Sequence, residues 1–288
     1  MRPFAYERPT SLLDAFALLE ALPDGRARLL AGGTDLLIRL RDGTFQPEVV
    51  VDVKRIAELS DGIAEEGSRL VIGARTAMTE IQADPRVRHD FPALAEAALY
   101  VGSAQIRNRA TLAGNLCNAS PAADTAPALL VYDAVVVTAG TSGLRRIPVD
   151  EWFVRSGVTT LRGDEIVTAV ELPLPDGPRG SVHLRRTRRR GHDLASVTMA
   201  CSVRPNGITR IAYGSVGPRP VLASDSSGVL ADPSAPPEAR LGVLDSLFAG
   251  AAPSPTSMRA SPEYRIAMLR VLGLRGVDAA LGQLGAAS

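Results

Sequence analysis

The chain has 288 residues, 45% of them hydrophobic, and a formal net charge of +1, so it can bury a large core and shows no bias toward nucleic acid or a membrane surface. Its 2 cysteines exclude a disulfide scaffold and cannot supply the four thiolates of an iron–sulfur cluster. Because no apolar run approaches the roughly 20 residues of a membrane-spanning helix and no signal-peptide core follows the N-terminus, we expect a cytoplasmic protein without membrane insertion.

The N-terminal part predicts a small βαβ unit. A strand over residues 28–31 leads to a turn at Gly32 and Gly33, a short helix over residues 34–41 and a β-branched strand over residues 48–52. Backbone N–H groups at such a glycine-containing helix start favour a bound anion. A Gly-Gly pair is also common in ordinary turns, and neither the spacing G-x-G-x-x-G nor a phosphate-loop Lys-Ser/Thr pair is present.

Residues 58–175 predict a mixture of strands and helices. Alternating apolar residues indicate the strands, whereas apolar residues spaced three or four apart indicate the helices. The predicted elements are strands over 63–65, 70–73, 134–139, 144–147 and 165–172 and helices over 76–83, 91–100 and 127–133, the first two helices being separated by Asp84-Pro85.

Residues 111–124 are predicted to form a ligand-binding loop. They read Thr-Leu-Ala-Gly-Asn-Leu-Cys-Asn-Ala-Ser-Pro-Ala-Ala-Asp, within a region otherwise rich in Leu, Val and Ala. A packed core has little use for so many small and polar residues, whereas phosphates and hydroxyls of a ligand need them. The glycine turn at residues 32–33 has the same character, so we expect the two stretches to close over one cofactor.

The last third of the chain predicts a separate antiparallel sheet. Prolines and glycines between residues 173 and 180 mark a domain boundary. Strands are predicted over 182–187, 195–203 and 208–216, with a hairpin turn at Asn206-Gly207. Beyond them, we expect one short helix within residues 237–248 and an amphipathic helix over residues 262–284.

Candidate chemistry outside the two polar stretches is sparse. The 3 histidines lack metal-ligand spacing, and no pair of carboxylates suggests acid–base catalysis, so we expect neither a metal site nor a catalytic side chain. Arginines are concentrated at positions 185, 186, 188, 189 and 190. This run is either a solvated turn or a surface for a partner or an electron acceptor.

The two glycine motifs, in this order, resemble the FAD-binding subunits of molybdenum hydroxylases. The first motif is Ala31-Gly32-Gly33-Thr34-Asp35-Leu36, and the second is Thr111-Leu112-Ala113-Gly114-Asn115-Leu116, preceded by a similar lead-in at residues 101–108. Residues 185–197, 213–220 and 261–265 resemble landmarks of the family's C-terminal domain. The family includes the medium subunit of carbon monoxide dehydrogenase and the FAD domain of xanthine dehydrogenase.

The resemblance implies a fold of the α+β class. A vanillyl-alcohol-oxidase/PCMH-type FAD-binding fold of two α/β subdomains would span residues 1–175, divided into about 1–57 and 58–175. A smaller C-terminal α+β domain, an antiparallel sheet plus helices, would span residues 176–288.

The resemblance also implies noncovalent FAD, since the first motif lacks the histidine that attaches flavin in some related folds. Gly32, Gly33 and Thr34 would donate hydrogen bonds, Asp124 would accept one from a hydroxyl, and Arg185 would lie near the flavin ring. The implied contact residues are Leu29, Leu30, Ala31, Gly32, Gly33, Thr34, Asp35, Leu36, Ala110, Thr111, Gly114, Asn115, Ala119, Asp124, Val167 and Arg185.

As a member of this family, the chain would be an oxidoreductase subunit that transfers electrons. A small partner subunit with [2Fe–2S] clusters would reduce its FAD, which would pass the electrons to NAD+, a quinone or oxygen. A large molybdopterin-binding subunit would oxidise the substrate, within a dimer of heterotrimers. The alternatives are a stand-alone FAD-dependent oxidoreductase with its own small substrate and a scaffold subunit that has lost flavin.

Overall fold

A computed structural model of the chain describes residues 2–22, 25–189, 191 and 193–287. Its helices are α1 (Leu12–Ala21), α2 (Leu36–Arg41), α3 (Met78–Ala83), α4 (Pro85–Asp90), α5 (Pro92–Leu99), α6 (Ala104–Arg107), α7 (Leu112–Asn118), α8 (Thr125–Val131), α9 (Val149–Trp152), α10 (Pro237–Leu247) and α11 (Pro262–Ala287). Its strands are β1 (Ala5–Glu7), β2 (Ala27–Leu30), β3 (Val49–Asp52), β4 (Ile63–Glu66), β5 (Arg69–Gly73), β6 (Val135–Gly140), β7 (Gly143–Pro148), β8 (Phe153–Arg155), β9 (Val158–Thr159), β10 (Ile166–Pro173), β11 (Gly180–Arg186), β12 (Val197–Val203), β13 (Thr209–Gly214) and β14 (Val221–Asp225). None of the helices in the described ranges combines the length and apolar character that a bilayer crossing requires.

Three large sheets and a two-stranded β8-β9 sheet organise the described residues. The first is parallel, in the order β1-β3-β2, because α1 and α2 provide the crossover connections that parallel strands need. The second is antiparallel, in the order β4-β5-β10-β6-β7, and the third is an antiparallel β11-β12-β13-β14 meander. The architecture confirms the predicted α+β class and the predicted C-terminal sheet.

The C-terminal sheet is covered on both faces. Every residue of β12 is buried, as expected for a central strand packed on two sides. Met199 and Cys201 face a core shared with α10 and α11, while Ala200 and Ala212 pack in the large core of the preceding sheets. The sheet is therefore packed against the rest of the molecule through α5 and α8.

Residues 111–124, predicted to be a loop, contain a helix. Thr111 caps α7, since its hydroxyl accepts from the Gly114 N–H at 3.0 Å. Leu112 and Leu116, one turn apart, are both buried, and Ala119 ends the helix with a left-handed φ of 46°. Gly114 and the adjacent polar residues obscured this short amphipathic pattern, and the loop prediction was wrong at residues 112–118.

Among the other elements that were not predicted, α4 and β14 were missed for different reasons. Asp84-Pro85 was predicted only to separate two helices, but it begins α4. The Asp84 carboxylate accepts from the Arg86 and Val87 N–H groups at 2.9 and 3.2 Å, and proline suits a first helical position. β14 pairs with β13 at the edge of the sheet. Its sequence, Val-Leu-Ala-Ser-Asp, shows little alternation, so only the pairing identifies it as a strand.

A half-buried carboxyl at the contact between α5 and β11 gives a pH-dependent prediction. Glu96 accepts from the His183 N–H at 2.7 Å, and burial raises the pKa of this carboxyl. A raised native pKa means that the folded state holds the proton longer, so stability falls as the pH rises from the ordinary value of 4.5 through the native value. We expect Glu96→Gln, which keeps an acceptor without a charge, to gain stability relative to wild type across this interval in urea unfolding. The prediction would be wrong if the free energies of unfolding of Glu96→Gln and wild type changed in parallel with pH.

Candidate functional site

The first polar stretch forms a turn rich in unpaired donors. It connects β2 to α2, whose first turn closes when the Leu37 N–H donates to the Gly33 carbonyl at 3.0 Å. Gly33 has a φ of +77°, which favours glycine. In the described structure the N–H groups of Gly32, Gly33, Thr34 and Asp35 have no acceptor. Consecutive free N–H groups of this kind form a concave anion-binding site.

The second polar stretch also contains the start of a helix, and this helix start is more buried than the first. The Thr111 cap occupies the Gly114 N–H, and the backbone bridge between Ala77 and Thr111 engages the Leu112 N–H, whereas the Ala113 N–H has no acceptor within the described ranges. Backbone pairing fixes this turn: Ala110 accepts from the Met78 N–H at 2.8 Å. The turn is therefore held by main-chain contacts rather than by flexible side chains.

The two turns touch each other directly. A Cβ atom on Gly32 would lie 1.9 Å from the Arg109 carbonyl oxygen, so only glycine allows this approach. A second link joins the helices, because Arg39 of α2 donates to the Asn118 side chain of α7 at 2.7 Å. The two motifs, which are far apart in sequence, are therefore adjacent in the fold.

A basic cleft of about 110 Å³ opens where the turns meet. Its lining residues are Ala31, Gly32, Lys54, Arg75, Ala77, Asn108, Arg109 and Thr111. The Lys54 ammonium lies 2.6 Å from the buried Asp52 carboxylate and 3.5 Å from the Ala31 carbonyl, and Arg75 donates to the Lys54 carbonyl at 2.6 Å. Lysine and arginine side chains beside unpaired N–H donors favour a phosphate-bearing ligand.

Lys54, Arg75 and Arg109 were not predicted to belong to the site. Lys54 lies in a 3₁₀ turn after β3, Arg75 follows β5, and Arg109 precedes the second motif. Their convergence depends on how the first two sheets pack together. The only signal in the sequence was the polar character of residues 102–109.

A second group of predicted residues forms a buried network beneath the C-terminal sheet. Asp124 accepts from Arg185 at 2.8 Å through one oxygen and from the Thr198 hydroxyl at 3.0 Å through the other. The His183 ring nitrogen lies 3.4 Å from the second oxygen. The Arg185 guanidinium also lies over the Tyr100 ring, 5.3 Å from its centre. Asp124 therefore holds two sheet strands against the start of α8.

The remaining predicted residues have local roles. Asn115 accepts from the Thr125 hydroxyl at 2.7 Å, which ties α7 to α8. Leu30 is buried in a small core with Leu40 and Val50. Val167 pairs with Thr138 on the neighbouring strand and is buried in the main core. Leu29, Leu36 and Val167 do not line the basic cleft.

The arginine run is mostly exposed. Arg186, Arg188 and Arg189 lie in or near the loop between β11 and β12, where Arg188 is 3.4 Å from the Asp193 carboxylate. Arg190 lies outside the described residues. The exposure fits a solvated turn, and a partner-binding role for the run stays a prediction.

The residues present fit FAD. Unpaired N–H groups on both turns and the flanking Lys and Arg side chains suit its diphosphate, which is best held by several donors. No histidine lies in the first motif, consistent with noncovalent binding. Among the described residues, no group of three His, Cys, Asp or Glu side chains could hold a metal ion.

A parallel three-stranded unit and an antiparallel five-stranded unit that meet at two donor-rich turns define a flavin-binding architecture. The family model of the FAD binding domain in molybdopterin dehydrogenase matches residues 2–175, and that of the CO dehydrogenase flavoprotein C-terminal domain matches residues 182–280. The chain therefore belongs to the family of FAD-binding subunits of molybdenum hydroxylases.

Individual relatives agree with this membership over nearly the whole chain. The putative xanthine dehydrogenase FAD-binding subunit XdhB of Escherichia coli K12 is 32% identical, covering 98% of this chain and 97% of the relative. The carbon monoxide dehydrogenase medium chain of Hydrogenophaga pseudoflava is 32% identical over 96% of both. A solved structure of carbon monoxide dehydrogenase from Hydrogenophaga pseudoflava superposes with a TM-score of 0.90 at 31% identity, covering 99% of this chain and 100% of that one. These matches confirm the expected fold and an FAD-binding oxidoreductase subunit.

Proposed function

We propose that this chain is the electron-transferring FAD subunit of a heteromeric molybdenum hydroxylase. The observation that carries the proposal is the contact between two donor-rich turns beside a basic cleft, in a chain of this family. Bound FAD supplies the redox chemistry, since it accepts and releases electrons singly or in pairs. The chain itself would bind, orient and shield the cofactor.

The backbone would hold the diphosphate of FAD. Gly32, Gly33 and Thr34 would donate from the first turn and Ala113 from the second, while Lys54 and Arg75 offset the phosphate charge. Thr111, Gly114 and Asn115 would complete the phosphate-binding site. The other predicted contacts would surround the rest of the cofactor: Leu29, Leu30, Ala31, Asp35, Leu36, Ala110, Ala119, Asp124, Val167 and Arg185. The division into residues 1–175 and 176–288 belongs to the same proposal.

Partner chains would complete the reaction. The 2 cysteines of this chain cannot ligate an iron–sulfur cluster, and relatives are named as medium chains or FAD subunits. A small subunit with two [2Fe–2S] clusters would therefore deliver electrons from a large molybdopterin-binding subunit. NAD+, a quinone or oxygen would accept them, in a cytoplasmic dimer of heterotrimers.

Purification under native conditions tests this function. We expect the chain to carry one FAD and to copurify with two further polypeptides, one containing molybdenum and the other iron and labile sulfide. Acid precipitation should release the flavin, as noncovalent binding requires. A chain that purifies alone and whose FAD is reduced directly by an organic substrate would contradict the heteromeric assignment. A chain that binds no added FAD would contradict the function itself.

A further inference from the structure

A buried guanidinium without a carboxylate partner lies in the first turn of α11. Arg265 is 4% exposed, and within the described structure its acceptors are all neutral oxygens. It donates to the Ser196 carbonyl at 2.9 Å, the Ser257 hydroxyl at 2.5 Å and the Ala260 carbonyl at 3.4 Å, and also to the Ser215 carbonyl. Burial of a cation without an anionic partner costs free energy, so we expect a compensating role in the segments that its hydrogen bonds hold in place.

The first structure that Arg265 fixes is the loop between β11 and β12, at its two ends Arg186 and Ser196. The Ser196 N–H closes the loop by donating to the Arg186 carbonyl at 2.7 Å, and Arg265 holds the Ser196 carbonyl. The adjacent Tyr264 hydroxyl accepts from the Arg186 side chain at 2.7 Å. Two consecutive residues of α11 therefore hold both ends of one loop.

The second structure is the sharp turn at Ser215. This residue has a φ of +67°, a strained value for a side chain with a Cβ atom. Its N–H donates to the Pro121 carbonyl at 2.7 Å and its hydroxyl to the Ala195 carbonyl at 2.9 Å, while its own carbonyl accepts from Arg265. Pro121 lies between α7 and Asp124, so this turn joins the C-terminal sheet to the second polar stretch.

The loop between β11 and β12 and the turn at Ser215 both lie next to the ion pair of Arg185 and Asp124. Asp124 follows Pro121 by three residues, and Arg185 also donates to the Asp193 carbonyl within the loop. We propose that Arg265 is a positioning residue that fixes the loop and the Ser215 turn, and thereby the placement of Arg185 and Asp124 toward FAD. This inference rests on the proposed FAD site.

The test compares Arg265→Met with Arg265→Lys in the full chain. Arg270→Met is the matched control, because Arg270 lies on the same helix in an exposed ion pair with Asp245 at 2.5 Å. FAD titration should show a dissociation constant at least about tenfold higher for R265M, an intermediate value for R265K and an unchanged value for R270M. The visible circular dichroism of bound FAD should change for R265M, since this signal reports the surroundings of the flavin rather than global stability.

A second variant keeps the test decisive if R265M does not fold. Ser215→Ala removes only the hydroxyl that donates to Ala195, so it should shift FAD affinity and dichroism in the same direction by a smaller factor. Wild-type affinity and dichroism in R265M, or in both R265K and S215A if R265M is unfolded, would overturn the positioning role alone. A wild-type chain that binds no FAD would overturn the proposed function and this role together.

Discussion

Replacement of Gly32 by alanine will abolish tight FAD binding. The new Cβ would lie 1.9 Å from the Arg109 carbonyl oxygen, whereas real Cβ atoms essentially never come closer than 3.0 Å to such an atom. A backbone carbonyl cannot rotate aside as a side chain can. The two turns must therefore move apart by about 1 Å in an otherwise close-packed region.

This displacement separates the donors on the two turns. A hydrogen bond to a charged group contributes about 1.5–3 kcal/mol, so misalignment of two such bonds raises the FAD dissociation constant at least about hundredfold. Isothermal titration with FAD and the flavin absorbance of the purified variant measure the effect.

Gly163→Ala is the control for Gly32→Ala. Gly163 does not have a positive φ, and a Cβ atom added to it would meet no other atom within 4 Å. Its replacement should therefore leave FAD affinity and thermal stability unchanged. A G32A variant with the flavin content of wild type would show that the contact with Arg109 does not set the geometry of the site.

Local patterns predicted most of the strands. The hydrophobic run of β10 and the Asn206-Gly207 turn between β12 and β13 can each be recognised from a few consecutive residues. Gly207 has the expected positive φ of 85°. The missed helices depend on single capping residues, Asp84 and Thr111, whose effect appears only when the backbone has turned. Short polar helices therefore escape analysis by hydrophobic periodicity.

Only part of the candidate site could be predicted from the sequence, and the reason is related. Its glycine turns are contiguous in sequence, so their composition alone indicated a ligand. Lys54, Arg75 and Arg109 reach the same cleft from three separate elements, and no pattern along the chain links them. The network around Asp124 is likewise tertiary, since Arg185 and Thr198 lie on adjacent strands far along the chain.

Asp124→Asn should cause the largest loss of stability among conservative substitutions at the site. Arg185 and Asp124 have side chains only 11% and 8% exposed, so neutralisation of the carboxylate leaves a nearly buried guanidinium without its anion. Removal of one partner from a buried ion pair costs about 3–5 kcal/mol. We expect the free energy of unfolding in urea to fall by about 3 kcal/mol.

The contrast with a surface pair makes this prediction specific. Asp245→Asn breaks the pair with Arg270, whose side chains are 45% and 52% exposed, and should change stability by less than about 1 kcal/mol. Removal of the stranded cation as well, in the double variant D124N/R185M, should recover part of the loss, because the penalty comes from burying one charge alone. Additive losses in the double variant would instead mean that Asp124 acts through Thr198 and His183. Its primary role would then be to join the strands β11 and β12 to α8 rather than to pair with Arg185.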